Sequence, residues 1–199
     1  MIKQIQYGQT QIILVGIVHN SSISFERVKT ILEQTDKSPV LLEYCQRRHE
    51  TNQQKKWYKS IWHLLAKTEL TIEQYVIDYC KHHRRPLKFI DMDIKYFLKH
   101  YYKLHPLRFI VDTISNLIMT PKIQLDKQTE ITYENATHYY IEPELYDIII
   151  EQRDKYMAYQ IKRYIRQNHS SVEQNHRQIV VIVGKMHIPG ILRHLTHQI

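Results

Sequence analysis

Glycine is scarce in this chain: 199 residues contain four glycines, six prolines and two cysteines. Two cysteines, Cys45 and Cys80, do not form a CxxC pair and cannot build a disulfide framework. Both read as buried thiols in a reducing compartment. No stretch approaches the ~20 consecutive apolar residues that span a bilayer, and the opening MIKQIQYGQTQ lacks the apolar core of a secretory signal. The expectation is a soluble, cytoplasmic protein with no membrane span. Tandem repeats and low-complexity tracts are absent as well, which sets aside solenoids and disordered linkers.

What is present fits one globular domain spanning 1–199, with 43% hydrophobic and 24% charged residues. The formal charge of +8 attracts polyanions, and tyrosines interleave with Lys and Arg at 95–103 and 155–166 beside the HHRR run at 82–85. Nucleic-acid binding is therefore one reading. Solvated helix faces with buried tyrosine bodies account for the same residues, and no nucleic-acid module is recognisable.

Alternating IKQIQ at 2–6, a turn at Tyr7-Gly8-Gln9 and the run 10–18 predict an N-terminal β-hairpin. Cap residues at 20–22 precede Phe25, Val28, Ile31 and Leu32 on one helical face, up to about Gln34. Val40–Leu42 reads as a short buried strand closing on Glu43. Helical spacing recurs at 55–66, and Thr71-x-x-Gln74 is a capping box for a helix through Cys80. Leu87–Ile90 is another short strand, closing on Asp91. Helices to about Leu104 and over 106–119 follow, then the polar segment 121–137 as a surface loop or insertion. Pro143 opens a long helix with Leu145, Ile148, Ile149, Tyr156, Ile161 and Ile165 as its stripe, and the strand 179–183 and a closing helix over Pro189–Leu195 end the chain. The order predicts an α/β fold: a mainly parallel central sheet with an N-terminal β-hairpin and helical insertions.

Against the scarcity of glycine, one pattern recurs. QIILVGIVHN at 11–20 and QIVVIVGKMHIPG at 178–190 are both apolar runs closed by Gly-x-x-His. Parallel strands would bring Gly16 and His19, Glu43, Asp91, and Gly184 and His187 to one sheet edge, the place where ligands bind in open α/β sheets, with Glu43 between the two histidine motifs. Glycine there lets the backbone turn and approach a ligand closely. Two histidines and a carboxylate form a common divalent-metal set with positions left for water and substrate. A lone Gly-x-x-His is weak evidence among thirteen histidines; two copies at strand ends together with Glu43 carry more.

ILVGIVHNSSIS, PVLLEYCQRR, FIDMDI, EQRDKYMA and VVIVGKMHIPGI, in this order, resemble the sequence blocks of the TraB/PrgY family, a relative of the Tiki and GumN proteins. The resemblance covers nearly the whole chain and implies a TraB/Tiki-like α/β domain. In the Tiki branch the shared residues are associated with divalent-metal-dependent proteolysis, and in the TraB/PrgY branch with shutdown of peptide pheromone signalling. It implies His19, Glu43 and His187 as metal ligands for Mn, Co or Zn, with Glu43 alternatively a general base. Arg153 would stabilise charge or orient Glu43, and Arg48, Asp91 and Asp154 would support the site or touch substrate. The bland reading of Arg153 is a helix-surface pair with Asp154 or Glu151. Cys45 stands where the family has an acidic residue, and Met92 where it has an arginine. The expected function is hydrolysis of a peptide or small protein; the alternative is a protein that captures such a peptide without cleaving it.

Overall fold

The computed structural model describes residues 1–18, 21–35, 37–46, 49, 71–93, 147–168 and 178–196, with 148 and 149 described in backbone only. The expected helices at 55–66, to Leu104 and over 106–119, the polar segment 121–137, and Pro143 and Leu145 lie outside the described residues.

Five strands make one mixed α/β sheet: β1 (Ile2–Tyr7), β2 (Thr10–Ile17), β3 (Val40–Leu42), β4 (Leu87–Phe89) and β5 (Gln178–Gly184), in the spatial order β1-β2-β5-β3-β4. β1 and β2 form the expected antiparallel hairpin, Ile2 opposite Val15 and Tyr7 opposite Thr10, with Gly8 at φ +59° in the turn. The other neighbours are parallel: β2 with β5 from Gln11–Gln178 to Ile17–Gly184, β5 with β3 from Val180–Val40 to Ile182–Leu42, and β3 with β4. One correction concerns position. Glu43 does not lie between the two Gly-x-x-His strands, because β5 itself is inserted between β2 and β3. Strand length is the reason: seven rungs pair β2 with β5, four of them between β-branched or leucine residues, whereas β3 offers only three rungs.

Four helices cover the sheet among the described residues: α1 (Ser22–Gln34), α2 (Ile72–His82), α3 (Gln152–Asn168) and α4 (Ile188–Thr196). Alternate strand residues feed two cores, as in parallel sheets buried on both faces. Ile12, Leu14, Leu41, Val181 and Val183 pack under Met157, Ala158 and Ile161 of α3 and Ile188 and Ile191 of α4. Ile13, Val15, Val40, Leu42, Val180 and Ile182 pack under Val28 and Leu32 of α1 and Val76 and Cys80 of α2. No helix among the described residues is long and apolar enough to cross a membrane.

Local sequence sets the helix ends. Ser21 caps α1 by accepting from the Ser24 N–H at 3.1 Å, and Thr71 caps α2 by accepting from Gln74 N–H at 3.3 Å. The capping box is only half made, since the Gln74 amide donates to Asp78 at 2.9 Å rather than reaching back. α3 also corrects the expected stripe. Its buried face is Asp154, Met157, Ala158, Ile161 and Ile165, continuing Ile150 of the preceding π-helical turn, while Tyr156 is half-buried. A buried aspartate at an inward position breaks the apolar pattern that a sequence reading follows.

The HHRR run divides in the same way. His82, His83 and Arg84 are exposed, but Arg85 is buried and donates to Leu32 O and Thr35 Oγ1, both at 2.9 Å, and to Ser38 O, satisfying carbonyls at the end of α1. Both cysteines are buried free thiols. Burial pushes the Cys80 thiol from its ordinary 9.0 up to about 11, against the nearby Arg85 charge. Its folded pKa being the higher one, the stability it contributes is complete below pH 9 and lost as pH rises through 11. We expect wild type to lose about 2–3 kcal/mol more than Cys80→Ala between pH 8.5 and 11.5 in urea unfolding, an equal loss contradicting the assignment.

Candidate functional site

The parallel strands deliver their polar ends to one edge, on the face covered by α3 and α4. Leu41 and Val183 point to that face, so by the two-residue period Glu43 does too. The ladder continues past the strands: Glu43 N–H donates to Ile182 O at 2.8 Å, and Asp91 N–H to Tyr44 O at 3.3 Å. The carboxylates are thus carried on backbone that is itself hydrogen-bonded. After Gly184 a 3₁₀ turn, Lys185–His187, swings His187 inward, where it is 3% exposed.

These groups form one connected network. Glu43 Oε2 accepts from the Gly184 N–H at 2.5 Å. Glu43 Oε1 accepts from Arg153 Nη2 and lies 3.4 Å from His187 Nε2. Arg153 also grips Asp91 with two parallel bonds, Nε to Oδ1 and Nη2 to Oδ2, both 2.9 Å. On the far side of the imidazole, His187 Nδ1 is 2.6 Å from Asp154 Oδ1. Asp154 is 1% exposed. Burial works against the Arg153 charge, but Glu43 and Asp91 more than offset it and hold the guanidinium above its usual range. Burial pushes the Asp154 carboxyl up, and the bond to His187 offsets only part of that rise.

Three of the four glycines stand around this network, each where a side chain would be crowded. A Cβ on Gly16 would sit 2.7 Å from Ile188 Cδ1 and 3.2 Å from the Lys185 Cα, so the Ile188 side chain would have to move and the 3₁₀ turn to give slightly. A Cβ on Gly184 would press at 3.3 Å on both Glu43 Oε2 and His187 Cδ2. A Cβ on Gly190 would run into the Asp154 carboxylate, 2.7 Å from its Cγ.

Of the sequence-predicted residues, Glu43, Asp91, Arg153, Asp154, Gly184 and His187 are brought together, and Gly16 abuts the turn that carries His187. His19 and Arg48 lie outside the described residues. Arg153 is not the surface pair with Asp154 or Glu151 that its neighbours in sequence suggest; Glu151 instead takes Arg193 and, at 3.0 Å, His194. Cys45 is buried, with its backbone carbonyl accepting from His49 N–H at 3.2 Å. Gly190 is the residue that sequence reasoning missed, its only signal being the Pro-Gly pair directly after the second histidine motif.

The donors suit a divalent ion in part. Two ligands bonded at about 2.1 Å in a tetrahedral site stand ~3.4 Å apart, and His187 Nε2 and Glu43 Oε1 have that separation. Among the described residues no group of three His, Cys, Asp or Glu side chains converges as a ligand set. No protein-family model matches this chain, and no characterised protein matches it in sequence.

Proposed function

We propose that the chain is a TraB/PrgY-like, divalent-metal-dependent hydrolase acting on peptides. One observation supports this above the others: the row Asp154, His187, Glu43 at the carboxyl edge of the sheet, its first two members buried. A carboxylate behind the imidazole fixes the ring and its tautomer, leaving Nε2 to face the site, which is how a metal-binding or proton-transferring histidine is held. His187 and Glu43 would hold the ion. His19, two residues beyond the Ile17–Gly184 rung of the β2–β5 ladder, is proposed as the third donor. A bound divalent ion supplies an acidified water and polarises a carbonyl.

The chain's own groups do the rest. The Gly184 N–H and Arg153 orient the Glu43 carboxylate, as ligand or as proton acceptor. Asp91 fixes the Arg153 fork, whose charge stands ready to stabilise negative charge that develops nearby. A second reading, peptide capture without cleavage, is favoured by one fact: both Glu43 oxygens already accept from donors of the chain, Oε2 from the Gly184 N–H and Oε1 from Arg153.

Metal content by mass spectrometry on protein dialysed with Mn, Co or Zn tests the reading. We expect close to one ion per wild-type chain and a loss of at least tenfold in the His19→Ala/His187→Ala double variant. Equal, negligible metal in both would end the hydrolase proposal. A mixed peptide library with and without metal then separates cleavage, seen as new termini, from capture.

A further inference from the structure

We infer that Gly190 is a positioning residue, and that its missing side chain is what lets Asp154 hold His187 with Nδ1 protonated and Nε2 turned to Glu43. Asp154 comes from α3 and is almost wholly buried, so its carboxylate needs both a partner and a space. His187 provides the partner at 2.6 Å. Gly190 provides the space: its Cα lies where any Cβ would occupy the volume of the Asp154 carboxylate, whose Cβ is itself only 3.0 Å from that position. Glycine weakens a helix relative to alanine, and α4 is a helix of nine residues, so glycine in its first turn has a cost that local structure does not explain. The close approach to α3 explains it.

His187 and Gly190 belong to one segment, His-Ile-Pro-Gly. The ring and the gap for its orienting carboxylate therefore arrive together as the 3₁₀ turn runs into α4. An alanine at 190 has no soft neighbour to displace, because the obstacle is a buried, charged, hydrogen-bonded group rather than the tip of a flexible chain. Asp154 must withdraw, and the ring then loses the acceptor that selects its tautomer. The inference takes from the proposed function only the choice of Nε2 as the working atom, and it concerns the metal-free protein.

The test is the ¹⁵N–¹H long-range NMR pattern of the His187 ring in chelator-treated full chain at pH 8, assigned by its loss in His187→Ala. Wild type should show Nδ1 protonated and Nε2 bare. Gly190→Ala should lose that pattern and resemble Asp154→Ala. The double variant Asp154→Ala/Gly190→Ala should match Asp154→Ala in ring pattern and melt no lower, since the collision partner is gone. A wild-type ring carrying its proton on Nε2 overturns the inference, as does Gly190→Ala with the wild-type pattern. Should Gly190→Ala fail to fold, the double variant decides: melting with Asp154→Ala supports the inference, and melting well below it overturns it. Metal content enters none of these outcomes, so failure here and failure of the hydrolase reading are separate results.

Discussion

Replacing Arg153 with methionine is expected to cost about 3 kcal/mol of folding stability, the low end of the range for breaking a largely buried ion pair. The low end applies because the guanidinium is 20% exposed and Asp91 17% exposed, so solvent screens part of the loss. What makes the change severe is that Arg153 serves two carboxylates from two strands. Without it Glu43 and Asp91 lose the guanidinium that joins them at the sheet edge, and Glu43 is only 10% exposed. Lysine should recover part of the loss and not all of it, since an ammonium keeps the charge but cannot make the two parallel bonds to Asp91. Urea unfolding at pH 7 measures both variants. A loss below about 1 kcal/mol for Arg153→Met would mean that water carries these carboxylates and that the bridge does not organise the edge.

If the proposed hydrolase reading holds, His187→Ala lowers peptide hydrolysis by about 10²–10⁴-fold, the contribution typical of a positioned histidine. The readout is the appearance of new amino termini from a peptide library with added metal, compared at equal folded protein. The variant should remain folded. With the ring gone, nothing draws the Asp154 carboxyl back toward its ordinary range, and burial leaves it protonated over a wider pH span. Its folded pKa then lies further above the unfolded value, so the stability that Asp154 itself contributes in the variant is complete below the unfolded pKa and is lost as pH rises through the folded one. An alanine variant that cleaves peptides at the wild-type rate would remove His187 from the chemistry while leaving its packing role intact.

The fold and the site were legible to different depths. The hairpin, the short strands closing on Glu43 and Asp91, and the capped helix α1 follow from two-residue alternation and cap residues, which are local signals. The face of α3 was misread at Tyr156 because Asp154 occupies an inward position, and a pattern search discards a charged residue there. Arg85 was misread as part of a surface basic run for the converse reason: nothing near it in sequence reveals that the end of α1 needs a donor. The capping box at Thr71 was half right, because Gln74 had a competing partner one turn on in Asp78.

Which groups reach the same sheet edge was settled by the sequence, since in parallel strands the polar residue after each apolar run must emerge at the carboxyl end. That is why Glu43, Asp91, Gly184 and His187 could be named together before any contact was known. The tertiary structure alone decided how they are joined: β5 rather than β3 beside β2, Arg153 between Glu43 and Asp91, Asp154 behind His187, and Gly190 against Asp154. Each of these depends on strand order and on how closely two helices cross. Both are fixed by the packing of residues far apart in the chain, and no local period records them.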